Sequence, residues 1–585
     1  MKTHIRKRSI RSLSLTRSST SIQPRNSINV IDKQPSHINF DPLFTSPSHR
    51  SDIASFDSEK SSGSYERTSR KLKNRHIQSI GIGGTIGTAL FVSIGSASQK
   101  GGPGSLFSGF SLWCIVILML TNSIAEMVTY SPISSPFITL AGRWVDEAFG
   151  VMAGYNYFLF EGFLIPFEIV AVNSISHYWV SGYSPAITIS VQLVSYFLIN
   201  IFAVNYYGET EFWLSLSKVV LAIGLSFFTS IVMCGGNPEN DAFGFRYWNN
   251  PGSFAELYKT GSLGRFLGFF ACYIQAAFTV AGPDYVAMSA GEAENPRKVM
   301  PRAFRSVAWR SLVFFCLGAL SVGISVPYNS PELAEASESG APGAAASPYV
   351  IAMNQSNIPF SPNSVNALVL LSAFSAGNSY TYCASRSLYG MALEGRAPAS
   401  FKKCTKGGVP IVSVLTASSF GSLSFSQMSQ SSAVVLQWIV NLCTASQLIS
   451  FSVISTTYLR FFYALKAQGI SRDTLPYKGI FQPYCGFIAL GFTFVMTFVS
   501  GYSVFLEGNW SVATFLFSYM MIFVAIVVYS TWKLSRRPKL LPLKEIDSFM
   551  DKQEIDDYCE QFAAEEASKP PPPKIVQILS YIFCR

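Results

Sequence analysis

Charge is scarce in this chain of 585 residues: only 13% are Asp, Glu, Lys or Arg, about half the share usual in a soluble globular domain. Histidine is scarcer still, with five in all. No HExxH, GxSxG or Walker-type lysine motif occurs. The metal-dependent, serine-nucleophile and phosphate-cradling chemistries that use those patterns therefore have no foothold. No enzymatic activity, metal or cofactor is expected. The ten cysteines form no CxxC pair and no metal-type spacing. Cys114, Cys272, Cys316, Cys383 and Cys443 sit inside apolar runs, where cysteine acts as a small buried hydrophobe rather than as part of a disulfide framework. Neither a repeated filter sequence nor a ring of charges, which a channel would need, is visible.

Apolar sequence fills the chain instead. Hydrophobic residues make up 49% of it, in long runs from about Ile77 to Trp532. A run of about 20 apolar residues spans a bilayer core as a helix, which predicts an all-α polytopic membrane protein. The expected spans are 77–97, 105–129, 151–180, 184–204, 211–234, 266–290, 307–327, 364–391, 410–426, 434–463, 481–502 and 511–532. The ninth, VPIVSVLTASSFGSLSF, is short and rich in serine.

Lys and Arg concentrate in cytoplasmic loops. The connections after the sixth (ENPRKVMPRAFR), eighth, tenth and twelfth spans are basic, whereas the long loop over 328–360 has no Lys or Arg and several Glu. The loop after the fifth span, with Arg246, Lys259 and Arg265, is the exception. This pattern puts both termini in the cytosol. It also puts two glycosylation sequons, Asn354-Gln355-Ser356 and Asn509-Trp510-Ser511, outside. Residues 1–75, rich in Ser, Arg and Lys, read as a disordered basic cytosolic tail. No apolar h-region follows the basic start, so this is not a signal peptide. Its expected neighbour is anionic lipid, not nucleic acid. The membrane domain is expected over 76–533 and a second cytosolic tail over 534–585.

Two spans are interrupted. GIGGTIGTALF in the first, residues 81–91, holds four glycines, each costing a helix about 1 kcal/mol relative to alanine. In the sixth, AAFTVAGPDYVAMSAGE at 276–292, Gly282-Pro283 breaks the backbone ladder. Broken helices at matching places in two halves point to an inverted-repeat transporter. Spans one to five form one repeat, six to ten the other, and the last two are accessory. Unwound backbone at mid-membrane offers N–H groups to a carboxylate and C=O groups to an ammonium, which together suit a zwitterionic amino acid. The other reading of small residues such as Gly83 and Gly87 is close helix packing alone; the matched break in the sixth span favours a binding site.

Ionisable residues inside spans cost about 2.5–3.5 kcal/mol on insertion scales and so mark candidate sites. Glu168 lies mid-span in EGFLIPFEIVAVN, with Glu161 two turns earlier on the same face. Burial disfavours the charged form of a carboxylate, so such a group can load and release a proton. Glu126, near the inner end of the second span, either joins that role or pairs with a cytoplasmic arginine. Asp284 either couples or caps the helix that follows Pro283. Ser375 and Asn378, with Ser379 and Arg386, and Thr444, with Ser446 and Gln447, either line a cavity or bond neighbouring helices.

At these residues the chain resembles the fungal amino-acid permeases, the yeast amino-acid transporter group of the amino acid–polyamine–organocation superfamily. The likeness runs in family order from about residue 74 to 478, through RHIQSIGIGGTIGTALF, IAEMVTYSPISSPF, NYYGETEFW, FGFRYWNNPG, AGEAENPRKVMPRAF, SAGNSYTYCASRSLYG, TKGGVP and LKAQGISRDTLPYK. It implies twelve helices in a LeuT-like 5+5 inverted repeat with helices 1 and 6 broken. The implied function is proton-coupled amino-acid uptake at the plasma membrane by alternating access. By that resemblance the substrate carboxylate meets Gly83, Gly84, Thr85 and Gly87. Its ammonium meets Phe278 to Gly282, including Val280 and Ala281, and Thr444 is counted with the pocket. Glu168, Glu126 and Asp284 are the candidate proton-coupling residues, with Ser375 and Asn378 lining the cavity.

Two departures stand out: Ala89 replaces a family glycine, and GPDY stands where many members read GTEL. The expected partners are an amino acid, a proton, the lipid bilayer and, on the tails, ubiquitination and trafficking machinery, with Cys584 a candidate for palmitoylation. Small neutral or a broad range of amino acids are the expected substrates. A non-transporting sensor with a permease fold is the alternative, and an uncoupled facilitator is a further one.

Overall fold

The computed structural model describes residues 70–568, apart from 181, 203, 339–346, 359–360, 429–431 and 548–551. Most of the basic N-terminal tail, and Cys584, lie outside the described residues. Within them the chain is helical, with two isolated bridges and no strand. The helices are α1 (Asn74–Thr85), α2 (Ile94–Tyr130), α3 (Pro136–Trp144), α4 (Glu147–Ser176), α5 (Pro185–Ile201), α6 (Val204–Met233), α7 (Gly261–Thr279), α8 (Pro283–Met288) and α9 (Pro296–Ser325). They continue with α10 (Pro331–Glu338), α11 (Pro348–Gln355), α12 (Ser361–Leu393), α13 (Ile411–Phe420), α14 (Ser432–Ala467), α15 (Tyr484–Val499), α16 (Val512–Arg536) and α17 (Lys552–Ser568).

Helix stands at every position where a span is expected. Eight described segments are long and apolar enough to cross a membrane: Ala89–Tyr130, Glu147–Ser176, Tyr206–Met233, Gly261–Glu292, Pro296–Ser325, Val435–Ala467, Tyr484–Phe505 and Val512–Arg536. The segment Pro185–Ile201 is apolar but shorter. The eighth expected span, α12, is not among the eight, for a physical reason. Ser372, Ser375, Asn378, Ser379 and Arg386 are all buried in it, so its polar groups meet other helices rather than lipid. In α4 83% of the apolar window is buried, against 11% in α16, which makes α4 a central helix and α16 peripheral.

The first two spans join without a loop. Gly102, at φ +78°, ends one helix and Pro103 begins the next inside the continuous run of α2. A side chain at Gly101 would strike Cys272 of α7, so the corner packs directly on the sixth span. The third span starts earlier than expected, at Glu147, because the Asp146 carboxylate accepts from the Phe149 amide at 2.7 Å and caps it. The ninth is only ten α-helical residues, continued by a tighter 3₁₀ stretch over Gly421–Met428.

Some structure was not expected. The loop between the second and third spans contains α3. The first described residues are packed against the helices: buried Leu72 bridges to Ala293. Helix α17 rests on the same surface through buried Ile555 and an Asp556–Arg297 ion pair at 2.8 Å.

Candidate functional site

Both interrupted helices are broken in the structure, and the breaks face each other. Helix α1 ends at Thr85, where Ile86 is extended (φ −95°, ψ 95°), and helix resumes at Ala89. Helix α7 ends at Thr279, Val280 is extended, and Gly282 takes φ +134° before α8 starts at Pro283. A Cβ on Gly282 would stand 2.9 Å from Thr85 Oγ1, and one on Gly84 would meet the Tyr285 ring. Glycine is required at Gly282 by its backbone angle and at Gly84 by this contact.

A break strands backbone groups that a helix would satisfy, and buried groups of that kind need partners. Here side chains supply them. Gly83 O accepts from Lys218 Nζ of α6 at 2.5 Å, and Ile86 O accepts from Ser372 Oγ of α12 at 3.2 Å. The Thr88 amide donates to Glu168 Oε1 at 3.3 Å, and the Thr88 hydroxyl donates to Glu168 Oε2. On the other break the Gly282 amide donates to Asp284 Oδ1 at 3.2 Å.

A small cavity of about 20 Å³ lies between the breaks, lined by Gly84, Thr85, Gly87, Ala89, Phe278 and Ala281, with walls from Phe160, Leu164, Phe167, Tyr285, Tyr380 and Gln447. That is room for about one water, so admitting an amino acid requires the wall to move. Phe278, packed edge-on to Phe167 with ring centres 5.6 Å apart, is a wall residue that also lines a second cavity on the far side.

The remaining expected site residues divide. Gly83 and Gly282 shape the breaks without lining this cavity, and Val280 is buried beside it. Thr444 lies in the second cavity, its hydroxyl donating to Val440 O at 2.6 Å. Ser375 and Asn378 bond to a carboxylate, Glu211 of α6, at 2.7 Å and 3.4 Å. Asn378 also accepts from Asn200 at 2.8 Å. Fully buried Glu161 and Asp284 lie near each other beside the phenols of Tyr157 and Tyr285, and no cation pairs with either among the described residues.

Glu126 is elsewhere. It forms a two-pronged pair with Arg472 at 2.9 and 2.7 Å and accepts from the Gly479 amide at 2.8 Å and Tyr458 at 3.2 Å. Pairing with an arginine, the second option for this residue, is the arrangement observed. Arg386 likewise pairs with buried Glu292 at 3.0 Å and lines no cavity around the breaks.

Sequence reasoning passed over Glu211 and Lys218, both wholly buried. A Cβ on Gly83 would overlap the Glu211 carboxylate, and one on Gly87 would overlap that of Glu168. Two carboxylates and one ammonium thus enclose the first break. Glu211, Ser215 and Lys218 are spaced i, i+4, i+7, a single helix face, and that spacing was the available signal.

Comparison with known proteins follows this geometry. Residues 76–544 match the model of the amino acid permease family. The general amino acid permease AGP2 of Saccharomyces cerevisiae is 48% identical over 499 residues, 84% of this chain and 82% of that protein. A proline-specific permease of Emericella nidulans is 37% identical over 501 residues, covering 85% and 90%. The basic amino-acid permease of Saccharomyces cerevisiae is 34% identical over 530 residues, covering 90% and 92%.

Proposed function

Since the chain belongs to the amino acid permease family, a family of multi-pass membrane transporters, we propose that it takes up amino acids across the plasma membrane together with protons. Twelve helices cross the bilayer in this reading, and both termini are cytosolic. One observation carries it: two broken helices meet at a cavity, and the freed backbone of the first is held by Glu168 and Lys218.

The substrate's carboxylate meets the amides around Gly84 to Gly87, and its ammonium meets the carbonyls around Phe278 to Gly282. The side-chain end of the pocket is aromatic and aliphatic, with Gln447 its amide. That favours small neutral substrates or a broad range of them. Relatives named as general, proline-specific and basic permeases share this degree of identity, so substrate choice rests on a few wall residues rather than on the fold.

Coupling follows from the charge arrangement. Glu168 touches the first break at Thr88 while Lys218 holds it at Gly83. A proton on Glu168 changes the charge balance around that break and so the relative stability of its two arrangements. The helices of the first, second, sixth and seventh spans then rock against the rest. Glu161 and Asp284, buried without a cation partner, form a further proton-holding pair beside the second break. Glu126 stays paired with Arg472 and takes no part.

The test is uptake of labelled amino acids in cells lacking their own permeases, at pH 5 and pH 7.5. Accumulation above the outside concentration, favoured at pH 5 and lost in Glu168→Gln, supports symport. Surface-localised protein that takes up none of the twenty amino acids overturns it.

A further inference from the structure

The second cavity is larger, about 100 Å³, and is lined by Lys100, Gln275, Phe278, Gln437, Asn441 and Thr444, with Tyr502 at its side. Among the described residues Phe278 alone lines both this cavity and the substrate pocket. Two of its polar groups are turned to one another, Gln437 donating to Asn441 at 2.8 Å, while Gln275 donates at 3.2 Å to Thr279, which lines the smaller cavity. Lys100 has no carboxylate within ion-pair distance among the described residues, whereas the outer-face cations Lys259 and Arg265 reach Glu507 (4.0 Å) and Glu256 (3.3 Å). A lone cation in a cleft with low-dielectric walls focuses its field on whatever enters. The surrounding side-chain amides carry carbonyl oxygens, the acceptors that an ammonium group needs.

We propose that this cavity is an outer amino-acid subsite. Lys100 draws in the α-carboxylate, the amides of Gln275, Gln437 and Asn441 receive the ammonium, and Phe278 holds the molecule back until the pocket below opens. The same cation disfavours side chains that carry a positive charge, so zwitterionic and acidic amino acids dwell here and basic ones do not. The subsite rests on the amino-acid reading above, yet it concerns residues that reading does not use.

The test keeps binding apart from transport. Asn441→Cys is labelled from outside with a membrane-impermeant thiol reagent, in whole cells expressing the full chain with Cys234→Ser. Labelling is followed with and without external alanine, aspartate or arginine. Ser503→Cys, at a residue that lines the same cavity, serves as a second reporter should Asn441→Cys fail to reach the surface. Alanine and aspartate are expected to slow labelling and arginine to leave it unchanged. The protection is expected to vanish in Lys100→Gln and return in Lys100→Arg. Equal protection with and without the Lys100 charge, or no protection by any of the three, overturns the subsite. Uptake measured in parallel cells expressing the chain with native Asn441 decides the transport reading separately: protection without uptake sinks symport and leaves the subsite standing, and uptake without protection does the reverse.

Discussion

Lys218 Nζ donates to the carbonyl oxygen of Gly83 at 2.5 Å, so a buried ammonium closes the gap left where the first helix unwinds. Replacing it with methionine leaves that carbonyl without its partner, at a cost of about 1–3 kcal/mol. It also leaves Glu211 and Glu168 without the cation between them. Lys218→Met is expected to reach the surface at reduced level and to lose concentrative uptake. Uptake per surface molecule, read by surface labelling and labelled substrate, checks it. Uptake equal to wild type would remove Lys218 from the mechanism.

The glycines of the first break separate by position. A methyl at Gly87 meets the Glu168 carboxylate, and crowding of this kind costs about 1–3 kcal/mol. Gly87→Ala is expected to raise KM or abolish uptake. Gly224, on α6, has open space where its Cβ would sit, and Gly224→Ala is expected to change nothing in uptake. A KM for Gly87→Ala equal to that of Gly224→Ala would contradict the close approach of Glu168.

Glu126 and Glu168 are expected to fail differently. Breaking a buried ion pair costs about 3–5 kcal/mol, so Glu126→Gln, which weakens the Arg472 pair, is expected to lower the Tm of detergent-purified protein. The surviving molecules should keep the wild-type pH profile. Glu168→Gln is expected to flatten the profile with a smaller change in Tm. A flattened profile in Glu126→Gln would return that residue to the coupling machinery.

The two ends of the bridge to the C-terminal helix are also unequal. Arg297 holds Asp556 at 2.8 Å and also donates to Thr129 O and Tyr130 O at 2.9 and 2.5 Å, while Asp556 is 43% exposed at its side chain. Asp556→Ala therefore loses one partly exposed pair, about 0–1 kcal/mol, and frees α17 for proteolysis with little change in Tm. Arg297→Ala is expected to free α17 and lower Tm together. Equal Tm values in the two variants would contradict the carbonyl contacts.

How much of this was legible beforehand follows from what each residue's signal looks like in one dimension. The breaks were legible because clustered glycine and a Gly-Pro pair weaken a helix, and GIGGTIGTALF and Gly282-Pro283 stand inside apolar runs. The burial of Glu168 was legible because a carboxylate among aliphatic residues inside a span needs a partner there. Glu211 was not, because it stands at the start of the expected span beside Glu209 and passes for the charge of a helix end; Lys218, two turns further into that span, carried the same signal as Glu168 and was passed over. Their burial depends on α1 and α12 packing across them. The Glu126–Arg472 pair was half legible: an arginine partner is one of the two readings of Glu126, but Arg472 lies far along the chain and only the fold brings it near. Helix α3 escaped because its short apolar stretch, PFITLAGRW, sits between two spans where a loop is the simpler reading.

The most direct test uses purified protein in liposomes with an imposed pH gradient, acidic outside. An amino acid that the cells take up is predicted to accumulate above its outside concentration, with a matching alkalinisation of the medium. Both are predicted to vanish in Glu168→Gln and Lys218→Met. Internal substrate that rises only to the outside concentration, with no proton movement, would contradict coupling through the first break.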